Sequence, residues 1–216
     1  NTQNVITSGT CTILVLADGH PFAAPVDFTA TSASYSTTIN ATAQAGTLVL
    51  PFAAAIPEGV KAYTLAYTSG DAAMATEITG TISANTPVLL NGSGSVTFSG
   101  TSAAVDADAT NSECAMTGVF AASTVPTGSY VLQNGGSGVG SYKASSAITI
   151  NPFRAYLTAQ DGNAPYMSII FPGDEVTGVE NVQVKALKNE VYNLSGQRVM
   201  APTRGLYIVN GKKMIR

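Results

Sequence analysis

Apolar residues in this chain come in short runs cut by turn residues, and no other feature limits the possible folds so strongly. "CTILVLA" (11–17) stops at Asp18-Gly19, and "VDFTATSASYSTTI" (26–39) alternates through Phe28, Ala30 and Tyr35 before the polar tract "NATAQAG". "TLVLPF", "VKAYTLAYTS" and "ATEITGTI" follow. "TPVLLNGSGSVTFSG" (86–100) reads as two strands around Asn91-Gly92, and "SYVLQNGGSGVGSYKA" (129–144) as a hairpin turned at Asn134-Gly135-Gly136. "AITINPFRAYLTA" and "YMSIIF" complete the series. Short strands with turn signals every ~8–12 residues predict an all-β fold, an antiparallel β-sandwich of one or two subdomains. "TSAAVDADATNSECAM" (101–116) is the stretch whose pattern allows a short helix.

The palette agrees with this reading. Charged residues make up 11% of the chain, against roughly 25% in ordinary globular proteins. Thr and Ser together fill 45 of 216 positions, beside 21 Gly and no Trp, the balance of an exported β protein. Thr and Val suit a pleated, half-buried surface. No apolar run reaches the ~18–20 residues of a membrane-spanning helix, because "TLVLPFAAAIPEGV" is broken by Pro51 and Pro57. An opening at "NTQNVITSG" reads as a mature or trimmed product whose export signal has been removed. Cys11 and Cys114 are either one disulfide across a long loop or two buried thiols.

The net charge of −3 argues against a nucleic-acid partner. Its distribution is uneven: residues 1–150 carry −6, whereas residues 175–216 carry +4. Pro172-Gly173 marks the break, which predicts a β-sandwich region over 1–172 and a small β-hairpin module over 173–216. An Asn210-Gly211 turn in that module sets Val209 opposite Lys212, Ile208 opposite Lys213, Tyr207 opposite Met214 and Leu206 opposite Ile215. A second hairpin is expected around Ser195-Gly196.

The closing stretch "VYNLSGQRVMAPTRGLYIVNGKKMIR" resembles the C-terminal sorting segment of the type IX secretion system, common in secreted and surface proteins of Bacteroidetes. The matching positions are Tyr192, Leu194, Gly196, Arg198, Gly205, Tyr207, Gly211 and Lys212. "GTCTILVLADGHPFAAPVDFTAT" and "ITGTISANTPVLLNGSGSVTF" are similar to modules of adhesion-like proteins from the same group. The resemblance implies an immunoglobulin-like terminal module, a cell-surface or secreted location and a role in cell adhesion. The partners it implies are a host or cell-surface glycan or protein, or the outer-membrane export machinery.

Residues with reactive chemistry are sparse. His20 is the single histidine, set in the turn "ADGHPFAAP", and no Ser occupies a nucleophile elbow. Asp106, Asp108 and Glu113 could supply hard oxygens to calcium, but the spacing departs from an EF-hand loop and a solvated acidic loop is the simpler reading. The glycine-rich stretches at 91–96 and 134–140 lack the following helix of a phosphate cradle. The basic tail reads first as a solvated strand face. Strand alternation turns most of Tyr35, Tyr63, Tyr67, Tyr130, Tyr142, Tyr156 and Tyr166 toward a core. The expectation is a non-enzymatic adhesion-like or structural protein without a cofactor. A glycan-binding module is the alternative, and a glycoside hydrolase with paired carboxylates a more distant one.

Overall fold

A computed structural model describes residues 3–67, 72–106, 114–135, 138–158, 164–174, 191–192, 206–209 and 212–215. The chain divides into two compact units, Asn1–Asp174 and Glu175–Arg216. Among the described residues of the first unit the strands are β1 (Ile6–Thr7), β2 (Thr10–Ala17), β3 (Phe28–Ile39), β4 (Ala45–Leu48), β5 (Ala54–Ala55) and β6 (Lys61–Tyr67). Next come β7 (Ala72–Ile78), β8 (Thr81–Ile82), β9 (Val88–Asn91), β10 (Gly94–Val105), β11 (Met116–Val119) and β12 (Ser123–Val125). The unit ends with β13 (Tyr130–Gly135), β14 (Gly138–Lys143), β15 (Ile148–Ile150), β16 (Arg154–Leu157) and β17 (Tyr166–Ile170). The described residues contain no helix, so the all-β expectation holds. Thr101–Val105, at the start of the stretch read as helix-compatible, extends β10 instead; residues 107–113 lie outside the described residues.

Two sheets carry the first unit. The smaller runs β1-β2-β3-β10-β5-β8, and the larger runs β11-β16-β13-β14-β17-β7-β6-β9-β4. The larger sheet curls nearly into a barrel. Its β4 end meets β16, where Ala155 N donates to Thr47 Oγ1 at 3.0 Å and Val49 N donates to the Phe153 carbonyl at 3.1 Å. Two pairings correct the wholly antiparallel expectation: β2 lies parallel to β3, and β17 lies parallel to β7. Asn91-Gly92 is likewise no hairpin turn, since β9 pairs with β6 and β4 while β10 pairs with β3 and β5. A Cβ on Gly92 would come 3.2 Å from the Gly59 carbonyl, so the chain changes sheets there at a close backbone approach. The hairpin of β13 and β14 does form, with Gly135 opposite Gly138.

Burial follows from this layering. Leu48, Val88, Leu90 and Ala62 join Tyr35, Phe52, Phe98 and Phe153 in a core shared with the smaller sheet. Leu89, Tyr63 and Leu65 join Met116, Tyr130, Leu157 and Met167 in the barrel interior. "VLL" in β9 is apolar throughout because both of its faces are covered. A third small core forms where the β12–β15 ribbon covers Val131 and Ala144.

The smaller sheet has a crease. Buried positions on β3 are Phe28 and Ala30, then Ala33 and Tyr35; on β2 they are Cys11, then Leu14 and Leu16; on β10 they are Phe98, then Ala103 and Val105. Each strand therefore places two consecutive residues outward, Thr12-Ile13, Thr31-Ser32 and Thr101-Ser102. The registers Cys11–Ala30–Ala103 and Ile13–Ser32–Thr101 put all three interruptions at one level. A single slip in one strand would turn its apolar residues into water. Three slips in step keep the inner face inward on both sides of a bend, and Ser102 takes a left-handed φ of 48° there.

The second unit holds β18 (Val191–Tyr192), β19 (Leu206–Val209) and β20 (Lys212–Ile215) in that spatial order. The β19–β20 register is the one predicted from the Asn-Gly turn, with Val209 opposite Lys212 and Leu206 opposite Ile215. β18 pairs with β19, Val191 opposite Val209. The hairpin expected around Ser195-Gly196 lies outside the described residues.

Candidate functional site

Asp18, at the turn that ends β2, stands at the centre of a polar cluster. Arg154 Nη2 donates to both Asp18 carboxylate oxygens at 2.8 Å, and Arg154 Nη1 donates to the Tyr35 hydroxyl at 2.9 Å. Tyr35 donates onward to Asp18 Oδ1 at 2.8 Å, and Thr37 Oγ1 donates to Oδ2 at 2.6 Å. Strand alternation explains part of the geometry: Tyr35 and Thr37 are two apart on β3 and share its inner face. Burial would raise the Asp18 carboxyl, but the hydrogen bonds from Thr37 and Tyr35 and the Arg154 charge outweigh it and hold the group below its ordinary range. Burial, with the Asp18 contact adding to it, pushes the Tyr35 phenol up to about 12. Burial works against the Arg154 charge, but the contacts with Tyr35 and the Asp18 carboxylate outweigh it and raise the guanidinium above its ordinary value. Each carboxylate oxygen has at least two donors, so the cluster is a clamp between the smaller sheet and β16, with no free acid or base to offer a substrate.

Beside the clamp lies a cleft of ≈ 570 Å³ along the outer edge of β2. Leu14, Leu16, Phe28 and Phe153 line it, and the segment His20–Pro25 forms one wall. Phe153 is held at a left-handed φ of 61°, an unusual conformation for a bulky residue. Its backbone is fixed on both sides, by the Val119 carbonyl and by Val49 N, and its ring packs 4.9 Å from Tyr35 and 6.1 Å from Phe120. Phe120 in turn meets Phe22 edge-on at 5.9 Å. The cleft's size falls within the roughly 300–1,000 Å³ typical of small-ligand sites.

Asn4, Cys11 and His20 all line this cleft, the residue types of a thiol-nucleophile triad. Their placement is not that of a triad. The Asn4 side chain caps the sheet edge, accepting from Val15 N at 2.8 Å and donating to the Val15 carbonyl at 3.0 Å. Cys11 is fully buried in the apolar core. His20 is exposed in a turn, its backbone N donating to the Ala17 carbonyl, and the described contacts do not link it to Cys11. The arrangement suits the capture of an apolar group, with an imidazole at the rim.

The other expected positions are dispersed. Asp106 follows the last residue of β10, while Asp108 and Glu113 lie outside the described residues. Of the sorting-like positions, Tyr192, Tyr207 and Lys212 fall on β18, β19 and β20; Leu194, Gly196, Arg198, Gly205 and Gly211 lie outside the described residues. Tyr35, Tyr63 and Tyr130 are buried, and Tyr67, Tyr142, Tyr156 and Tyr166 are half-buried. Tyr142 and Tyr166 meet edge-on with rings 5.1 Å apart and 63° between planes, which is no flat sugar platform. Cys11 and Cys114 are free thiols in separate cores; Cys114 Sγ contacts the Met116 and Pro87 carbonyls, and burial raises its thiol.

Asp18 and Arg154 escaped sequence reasoning. The available signal was an arginine inside the apolar run "NPFRAYL", a charge that a buried strand tolerates only with a partner. Comparisons with protein-family models, with curated proteins and with solved structures found no match to this chain.

Proposed function

We propose that this chain is a non-enzymatic, exported β module that works at the outer cell surface or after secretion, adhesion-like in character, with its C-terminal strands serving attachment or sorting. The observation that carries the non-enzymatic part is the state of its polar groups. The polar cluster around Asp18 and Arg154 is saturated internally, and the cleft along β2 is apolar apart from a capped Asn4, the buried Cys11 thiol and a rim histidine. A catalyst needs a nucleophile and a proton carrier placed together; the Asp18 cluster is spent on its own contacts, and the described contacts do not link Cys11 and His20 in the cleft. The exported part is supported by the low charge, the hydroxyl-rich strands and the terminal "YNLSGQRV" and "GLYIVNGKK" segments. The partner class proposed is a surface glycan or protein.

The test is surface proteolysis of intact cells producing the native gene product, followed by fractionation. Cleavage in intact cells, or recovery from the medium, is the expected result. Deleting 175–216 should then strand the protein inside the cell. Retention of the intact protein in the cytoplasm would overturn the proposal, and normal export of the truncated chain would remove the sorting role alone.

A further inference from the structure

We propose a second binding site, at one end of the barrel, for a small monocyclic molecule that carries one hydrogen-bonding group. Ser141 is the observation that points to it. Its side chain is 0% exposed, and its hydroxyl has no hydrogen-bonding partner among the described residues. A buried hydroxyl left unsatisfied is costly and uncommon, and such a group calls for an explanation.

Register places Ser141 on the inner wall. It stands opposite Leu132 on β13 and opposite Met167 on β17, and residues opposite each other in a ladder share a face. Met167 belongs to the barrel core, and Leu132 packs against it. Val139, two residues back along β14, shares that face. Continuing the Ser141–Met167 register brings Ile169 level with Val139.

Directly along this row the barrel end opens into a cavity of ≈ 210 Å³, lined by Ala45, Leu89, Leu132, Val139, Ile169 and Phe171 among others. That exceeds the roughly 150 Å³ of an apolar cavity known to admit benzene. The lining is mostly apolar, joined by the exposed Asn91 and the half-buried Tyr166; Ser141 stands behind that lining, in the row of Leu132 and Met167, as a fully buried hydroxyl. A hydroxyl both donates and accepts, so a phenol or a ring-bound alcohol fits it, whereas a bare hydrocarbon leaves it orphaned. Reaching Ser141 requires the Leu132 side chain, its cross-strand neighbour, to move aside. The mouth of a barrel is a common place for such sites.

The experiment titrates the full 216-residue chain with phenol and, separately, with benzene, followed by methyl and amide NMR. Phenol should bind about threefold to tenfold more tightly than benzene, the margin expected of one hydrogen bond. The shifts should centre on Leu132, Val139 and Ile169. Ser141→Ala should erase the margin while benzene binding persists, and Ala45→Phe should abolish both. If neither compound shifts the barrel-end signals, or if the unsubstituted chain binds the two equally, the proposal fails. It fails too if both bind at the β2 cleft, where Phe22 and Leu14 signals would move instead. The comparison of the two compounds on the unsubstituted chain decides the matter even if a variant does not fold.

Discussion

Arg154 reaches three side chains contributed by two other segments, Asp18 after β2 and Tyr35 and Thr37 on β3. The value of such a clamp lies less in its Coulomb attraction than in what is left when one member goes. Arg154→Met should cost about 2 kcal/mol in urea unfolding, because a half-buried Asp18 carboxylate then loses its cation. The Asp18 carboxyl has a lowered folded value, so its contribution is complete above its ordinary 3.8 and is lost as pH falls through the folded value. Asp18→Asn should accordingly flatten the acid limb of the stability curve below about pH 4. Tyr35 behaves with the opposite sign. Its folded value is raised from 10.0 to about 12, so its contribution is intact below 10 and is lost as pH climbs toward 12. The linkage amounts to about 2–3 kcal/mol. Tyr35→Phe should remove that alkaline loss, and absorbance titration near 295 nm should lose a tyrosine that ionises near 12. An unchanged alkaline limb would show that the phenol is not held as described.

Among the elements, the close approaches are set by glycine. A Cβ on Gly100 would lie 2.5 Å from the Ala53 carbonyl, beside the point where Ser99 pairs with Ala55 of β5. Backbone cannot yield there, so Gly100→Ala should destabilise by about 2–3 kcal/mol and detach β5 and β8 from the sheet. Gly140→Ala would meet the ring of Tyr166, a side chain able to swing, and should cost less. Hydrogen exchange of β5 amides separates the two cases. Strand identity was legible from "FTATSASYSTTI" because its apolar residues alternate on either side of Thr31-Ser32, and from "KAYTLAY" because it is a short apolar run bounded by turn residues. The partner of each strand was not. Asn91-Gly92 has the residues of a hairpin turn, yet its flanking strands join different sheets, since turn chemistry fixes a local bend and not the tertiary destination. The parallel β2–β3 pair was equally hidden, because alternation carries no direction. The terminal register could be read, because a two-residue turn leaves one pairing. The candidate cleft could not. Leu14, Phe28 and Phe153 come from three distant segments, and Ser141 stands out only once the barrel surrounds it.

At the scale of the molecule, Asn1–Asp174 contains its own cores and both large sheets. A chain ending at Asp174 should fold, with near-UV circular dichroism and core methyl signals matching those of the intact protein; a collapsed, unstructured fragment would contradict this. The parallel pairing of β17 with β7 carries a consequence for synthesis. Ser168, Ile169 and Ile170 meet Ala72, Ala73 and Met74, so nearly a hundred residues separate the two halves of the seam. A ribosome adding roughly 5–20 residues per second delivers the closing strand several seconds after the one it completes. Throughout that interval one flank of β7 is an open ladder that an identical nascent chain can occupy, so polysome crowding is the condition under which this polypeptide is most exposed to mispairing.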